Sequence, residues 1–326
     1  MRTPEPPVPQ SADIRPDPVP VDDAAVELPG TLPDRPFGVH FRMARWKSLV
    51  ILIAIPAMLL LVQIIVFQPV VMIEGPADPN RPTLSPLTIV ATGLSTAITA
   101  FLSTVLVAKM AKVPWQAVFR HTRAFDRRRL GVYLLGSAGV VGLGVLATAL
   151  IAPGSSGWGA FEVGATTVAV LVATLVATPL QSAGEEIAFR GAAIPAAGSW
   201  FRSARLAVVF GVLVSGALFA AVHVSLDPWL VSYLFVFSAC TAIMGLISGG
   251  LEAAMAFHVS NNVLVGVVNA LFAGGGASVI DRGAGSGPGA SLVILMVMNV
   301  LAVVMVWLVE RAKRSSLGGE PPHTPR

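Results

Sequence analysis

The chain has 326 residues, 54% of them hydrophobic and 12% charged, and its mean hydropathy is +0.75. That is too apolar and too sparsely charged for a soluble globular domain, so an integral membrane protein is predicted. The net charge of +4 and the pI near 9.7 do not signal a nucleic-acid partner, because the Lys and Arg residues form short clusters beside apolar runs rather than one basic face. The single cysteine, Cys240, excludes an internal disulfide and any CxxC metal or redox motif.

Residues 1–36 are crowded with Pro, Asp and Val and have no apolar periodicity, so a disordered tail is predicted. The first apolar run begins only at Ser48, past the place of a cleavable signal segment, and is expected to be a retained anchor. Eight runs long enough to cross a bilayer, which takes about 20 apolar residues, are predicted over 48–72, 86–110, 131–152, 163–199, 204–224, 228–248, 251–272 and 290–309. Their breaks are Gly75-Pro76 through Pro86, Pro153 to Gly157, Asp227-Pro228, Gly249-Gly250 and the Gly-rich stretch 274–289, read as an external loop. The expected fold is all-α, a polytopic membrane helical bundle over 37–315 with a motif-bearing core at 163–272. A short disordered tail, 316–326, completes it.

Positive charge sets the expected orientation. Arg42, Arg45 and Lys47 precede the first span, and Lys109, Lys112, Arg120, Arg123 and Arg127 to Arg129 follow the second. Arg202 and Arg205 separate the fourth and fifth, and Arg311, Lys313 and Arg314 follow the eighth. With eight spans all of these lie on one side, so both termini are expected in the cytoplasm, and the protein is assigned to the cell membrane with lipid as its first partner. Segment 113–129, with Trp115, Val118 and Phe119 among basic residues, reads either as a surface segment held by anionic lipid or as a solvated basic loop.

The densest cluster of charge in the apolar region is Gly184 to Gly191, where Glu185, Glu186 and Arg190 follow an almost unrelieved apolar run. Ionisable side chains at membrane depth are costly to bury, which makes a functional site the default reading. Glu186 and Arg190 are four apart, as are Phe219 and His223, and His258 and Asn262; on a helix each pair shares a face. Counting from a helical hairpin tip at Ser199 to Ser203, Glu185 and His223 differ in depth by roughly 9 Å at 1.5 Å per residue, a mismatch that tilt or a kink near Pro179 can absorb. Each group also has a plainer reading: the Glu-Arg pair as a fastener, a lone His as a hydrogen-bonded core residue, Asn262 as interhelical glue.

Taken in order, Glu185-Glu186-xxx-Arg190, Phe219-xxx-His223 and His258-xxx-Asn262 on successive membrane helices resemble the CPBP family of intramembrane proteases (CAAX-protease, Abi and bacteriocin-processing). The resemblance covers roughly 163–272. It implies an intramembrane endopeptidase of metalloendopeptidase-like type that hydrolyses a peptide bond of a membrane-anchored protein or peptide, with Glu185 activating water and His223 holding that water or a metal ion. His258 and Asn262 then bind the carbonyl oxygen or complete the metal site. Zinc or another divalent metal held by Glu185, His223 and His258, and a metal-free glutamate mechanism on the same residues, are both open at this stage. So are a non-catalytic scaffold or immunity protein and a proton-coupled transporter. Other membrane chemistries leave little trace: Gly136-Ser137-Ala138-Gly139 places its Ser one position early for a serine intramembrane protease, and no P-loop or internal repeat is found.

Overall fold

The computed structural model describes residues 27–78, 81–275, 277–279 and 289–316. Among the described residues, eight helices are long and apolar enough to span a membrane. They are α1 (Arg45–Val66), α2 (Pro86–Ala111), α3 (Arg127–Ile151), α4 (Ala165–Gly198), α5 (Ala204–Val222), α6 (Pro228–Ser248), α7 (Glu252–Phe272) and α8 (Gly289–Ser316). The all-α polytopic bundle expected from the sequence is therefore the observed one, and the chain is a multi-pass membrane protein.

Local chemistry explains where these helices begin and end. Ser85 caps α2 by accepting from Thr88 N, Asp126 caps α3 through Arg128 N and Arg129 N, and Asp227 caps α6 through Leu230 N; each satisfies an orphan amide of a first turn. Lys112 and Gly249 take left-handed conformations that close α2 and α6. α1 is shorter than expected: it stops at Val66, and a separate short helix runs over Gln68–Glu74. Pro69 causes the break, having no N–H to return to the carbonyl four residues earlier.

The outward faces carry Ile53, Leu61, Ile65, Leu135, Leu150 and Val176, all exposed, as a lipid-facing surface requires. The inward face of α2 is instead small and polar, with Ser95, Thr96, Thr99 and Ser103 buried. Most of these hydroxyls return to carbonyls of their own helix; Thr96 Oγ1, for instance, donates to Thr92 O at 2.8 Å. Small residues let α2 approach α4 closely: a Cβ on Gly93 would stand 2.5 Å from Ala177 O, and one on Gly184 would stand 2.9 Å from Thr96 O.

α4 is not uniform. Ala165–Glu186 is α-helical, with Pro179 inside it, Ile187–Ala193 is wound as a π-helix, and Ile194–Gly198 is α-helical again. The irregularity thus falls directly after the two glutamates rather than near Pro179. Ser215 Oγ of α5 donates to Phe189 O at 2.9 Å, occupying a carbonyl in the wide turn.

One end of the bundle gathers the basic clusters. Residues 1–26 and 317–326, most of the two tails expected to be disordered, lie outside the described residues, as do 276 and 280–288 of the Gly-rich loop. Residues 27–36, expected in the first tail, are placed against the bundle, with Leu28 buried beside Val113 in the core cluster. Beyond them Phe37, Val39, His40 and Phe41 are also buried. Trp200 Nε1 donates to Ser48 Oγ at 2.7 Å, and Lys47 Nζ donates to Met110 O at 2.9 Å. Segment 113–129 is more tightly packed than a solvated loop while keeping exposed aromatic side chains. Ala117 and Val118 are fully buried, Trp115 and Phe125 are exposed, and Leu251 N donates to Phe119 O at 2.9 Å, so the segment straps the start of α7. The opposite end is closed by a two-stranded pairing of β1 (Thr83–Leu84) with β2 (Ser278–Val279) and by Trp158 Nε1 donating to Asn269 Oδ1 at 2.6 Å.

Candidate active site

The residues singled out from the sequence come from three helices. Glu185 and Glu186 end the first α-helical part of α4, Arg190 lies in its wide turn, His223 follows the last residue of α5, and His258 and Asn262 lie one turn apart in α7.

Glu186 is the hub, with no exposed surface. Its Oε1 accepts from His258 Nδ1 at 2.7 Å, and its Oε2 lies 3.2 Å from Arg190 Nε. The expected Glu186–Arg190 pair is thus present as a charge contact; its alignment leaves all three guanidinium nitrogens without a hydrogen bond. The Arg190 guanidinium carbon stands 4.5 Å from the Phe219 ring centroid, where the ring face attracts a cation. Burying the two charges together lowers a cost that either would incur alone.

Glu185 approaches the other nitrogen of the same imidazole, with Oε2 3.6 Å from His258 Nε2. Its Oε1 accepts from Gln181 Nε2 at 3.1 Å. Because a carboxylate only accepts, His258 Nδ1 carries the proton of the Glu186 contact, and Nε2 is the nitrogen turned toward Glu185. Phe237 packs edge-on to that ring at 4.6 Å between centroids and holds its plane.

His223 and Asn262 stand further out. His223 Nδ1 donates to Phe219 O at 2.7 Å, and the His223 and Phe219 rings are 4.7 Å apart. It is half-buried and adjoins the cluster through Phe219, not by direct contact with Glu185, Glu186 or His258. The residue after it, Val224, has φ of 49°, a strained conformation for a β-branched side chain. Asn262 Nδ2 donates to Ser182 Oγ at 3.2 Å, and Asn262 Oδ1 accepts from Asn261 Nδ2 at 2.9 Å. One amide hydrogen of Asn262 is left uncommitted.

The proposed ligand set of Glu185, His223 and His258 is not gathered as such. Among the described residues no group of three or more His, Cys, Asp or Glu side chains is arranged to hold a metal ion. Both nitrogens of His258 face carboxylates, and His223 Nδ1 is committed to a carbonyl. The three side chains therefore do not converge on one point in this structure, although a carbonyl-bound Nδ1 is the contact that orients a ligating imidazole and leaves its Nε2 open.

A cavity of about 580 Å³ opens between α2 and α4, lined by Ala97, Phe101, Thr104, Leu180, Gly184 and Ile187 among others. It brings lipid-facing space to the residue next to Glu185. A second cavity, about 430 Å³, lies across Trp115 and Phe119 and reaches Glu252 and Met255.

Sequence reasoning missed several supporting residues. Gln181 and Ser182 precede Glu185 and Glu186 by four, a spacing that was visible. The buried pair of Arg129 Nη2 and Glu252 Oε1 at 2.8 Å was not, since its partners are far apart in sequence. The same holds for Glu310, which receives Tyr133 Oη at 2.5 Å and an ion pair from Arg123.

The fold and cluster define a class: a polytopic helical membrane protein in which two glutamates of one span enclose a histidine of another. Residues 165–264 match the family described as Type II CAAX prenyl endopeptidase Rce1-like, the family suspected from the motifs, and the match contains all six candidate residues. At the family level this match supports a CAAX-protease-like intramembrane endopeptidase. No curated protein matches the chain.

Proposed function

We propose that this protein hydrolyses a peptide bond of a membrane-anchored protein or peptide, using water activated by Glu185. The observation that carries the reading is the placement of His258 between Glu185 and Glu186 in a buried site. Glu185 Oε2 and His258 Nε2 are both acceptors facing one space, so a single water oxygen lying to the side, about 2.8 Å from each, can donate to both. His223, with its Nδ1 proton spent on Phe219 O, offers Nε2 as a further acceptor at the rim.

In the proposed reaction Glu185 takes a proton from water as the oxygen attacks the scissile carbonyl carbon. The proton then passes to His258 Nε2, where the Glu186 carboxylate stabilises the imidazolium, and goes on to the departing amine as the C–N bond breaks. Charge on the carbonyl oxygen is met by the free amide hydrogen of Asn262. Substrate enters sideways through the groove between α2 and α4, and the basic end of the bundle, with both termini, faces the cytoplasm.

The test uses purified protein in vesicles with a membrane-anchored reporter peptide. Glu185→Gln is expected to abolish cleavage while leaving the thermal melt unchanged. Cleavage that persists in a folded Glu185→Gln variant overturns the role of Glu185. Comparing membrane proteomes of cells carrying either form then identifies the substrate as the peptide that accumulates uncut.

A further inference from the structure

We propose that Gln181 is a positioning residue that orients the Glu185 carboxylate; the inference rests on reading Glu185 as the base. Gln181 lies one turn before Glu185 on α4, and its Nε2 donates to Glu185 Oε1 at 3.1 Å. Among the described residues this is the hydrogen bond that Glu185 receives, since the His258 contact on Oε2 is 3.6 Å long, too long for one. A glutamate carboxylate turns freely about its last torsion, whose energy profile is broad and two-fold. A donor on one oxygen removes that freedom and aims the other.

The arrangement divides labour between the two oxygens. Oε1 is occupied by an amide that stays in place through the reaction, and Oε2 is left facing His258 Nε2, where the attacking water must sit. Gln181 is half-buried, and the groove wall is formed by its neighbours Leu180, Ala183, Gly184 and Ile187. It is therefore placed to act on the base and not on the substrate. The adjacent Ser182 instead accepts from Asn262 Nδ2 at 3.2 Å, so one turn of α4 contacts both Glu185 and Asn262.

The experiment is steady-state cleavage of the reporter peptide by the full-length protein in vesicles, with Gln181→Met, which keeps length without a donor, and Gln181→Leu, which keeps bulk without a donor. Loss of a hydrogen bond to a charged group predicts a kcat lower by about ten- to a hundredfold with KM within about twofold of wild type. A wild-type kcat in either folded variant overturns the proposal, and so does a change confined to KM. A readout independent of turnover separates this from the activity itself: the infrared carboxylate band that disappears in Glu185→Gln is expected to shift in Gln181→Met. If wild-type protein cleaves nothing, the proteolytic reading fails alone, and an unshifted band still rejects the contact.

Discussion

His258 Nδ1 lies 2.7 Å from Glu186 Oε1, joining two residues 72 positions apart in the chain across the α4–α7 interface. The same carboxylate faces Arg190, so removing its charge has two effects. Glu186→Gln leaves a fully buried guanidinium without its counter-ion, which is expected to cost about 3–5 kcal/mol of stability. In the proposed reaction it also withdraws support from the imidazolium, and kcat is expected to fall by at least about a hundredfold. Thermal melting and turnover measured on the same preparation check both, and an unchanged melting temperature would mean that the pair contributes nothing.

The contact between α2 and α4 depends on glycine. At Gly93 an added Cβ would stand 2.5 Å from Ala177 O and 2.9 Å from Ala177 Cβ. Gly93→Ala is therefore expected to push the helices apart and destabilise by about 1–3 kcal/mol. Gly142→Ala, where nothing lies within 4 Å, serves as the control and is expected to be neutral or stabilising by up to about 1 kcal/mol through helix propensity. Equal melting temperatures for the two variants would contradict the close approach.

Arg129 and Glu252 form a buried ion pair that fastens α3 to the first turn of α7, two turns before His258. Arg129→Met alone is expected to cost about 3–5 kcal/mol because it strands the Glu252 carboxylate. Pairing it with Glu252→Leu is expected to recover most of the loss. The double-mutant cycle measures this, and additive losses would show that the two side chains do not interact.

The imidazole of His40 sits before α1, outside the spans, and burial, aided by the neighbouring His121, pushes its pKa down from 6.5 to about 3. Gly38 N donates to its Nδ1 at 3.2 Å and its Nε2 donates to Ala117 O at 2.9 Å, so the neutral ring is the one the fold accommodates. Between about pH 6.5 and 3 the unfolded chain binds a proton that the folded chain does not. Stability is thus complete above about 6.5 and falls as the pH drops through that window. His40→Gln is expected to flatten the slope by about 1.4 kcal/mol per pH unit, read from denaturant melts at pH 7, 6 and 5.

Much of the fold was legible because lipid imposes a simple code. Runs such as Ile51 to Val66 are apolar along nearly their whole length, with Ile51 and Ile55 turned to the core and most other side chains turned outward, and hydropathy alone locates them. The pairing of Glu186 with Arg190 was legible because neighbours on one helix have a fixed spacing. The contacts of Glu186 with His258 and of Arg129 with Glu252 depend on which helices pack together, which no local spacing encodes. Residues 27–36 were assigned to a tail because their prolines mask Leu28, which packs into the core cluster, and Ala117 and Val118 were hidden among arginines. His223 looked equivalent to His258 by its four-residue spacing, yet it terminates α5 and turns its Nδ1 to its own helix.

The widened winding at Ile187–Ala193 gives the fourth span two independent phases. Upstream, rotation about the helix axis is set by the glutamates and their neighbours. Downstream, it is set by Gly198 against Val39 and by Ile194 against Gly211. Restoring regular winding by deleting one residue would swing everything beyond it by about 100° relative to the glutamates. The extra residue is what allows a charged core and a tightly fitted hairpin tip to share one continuous rod.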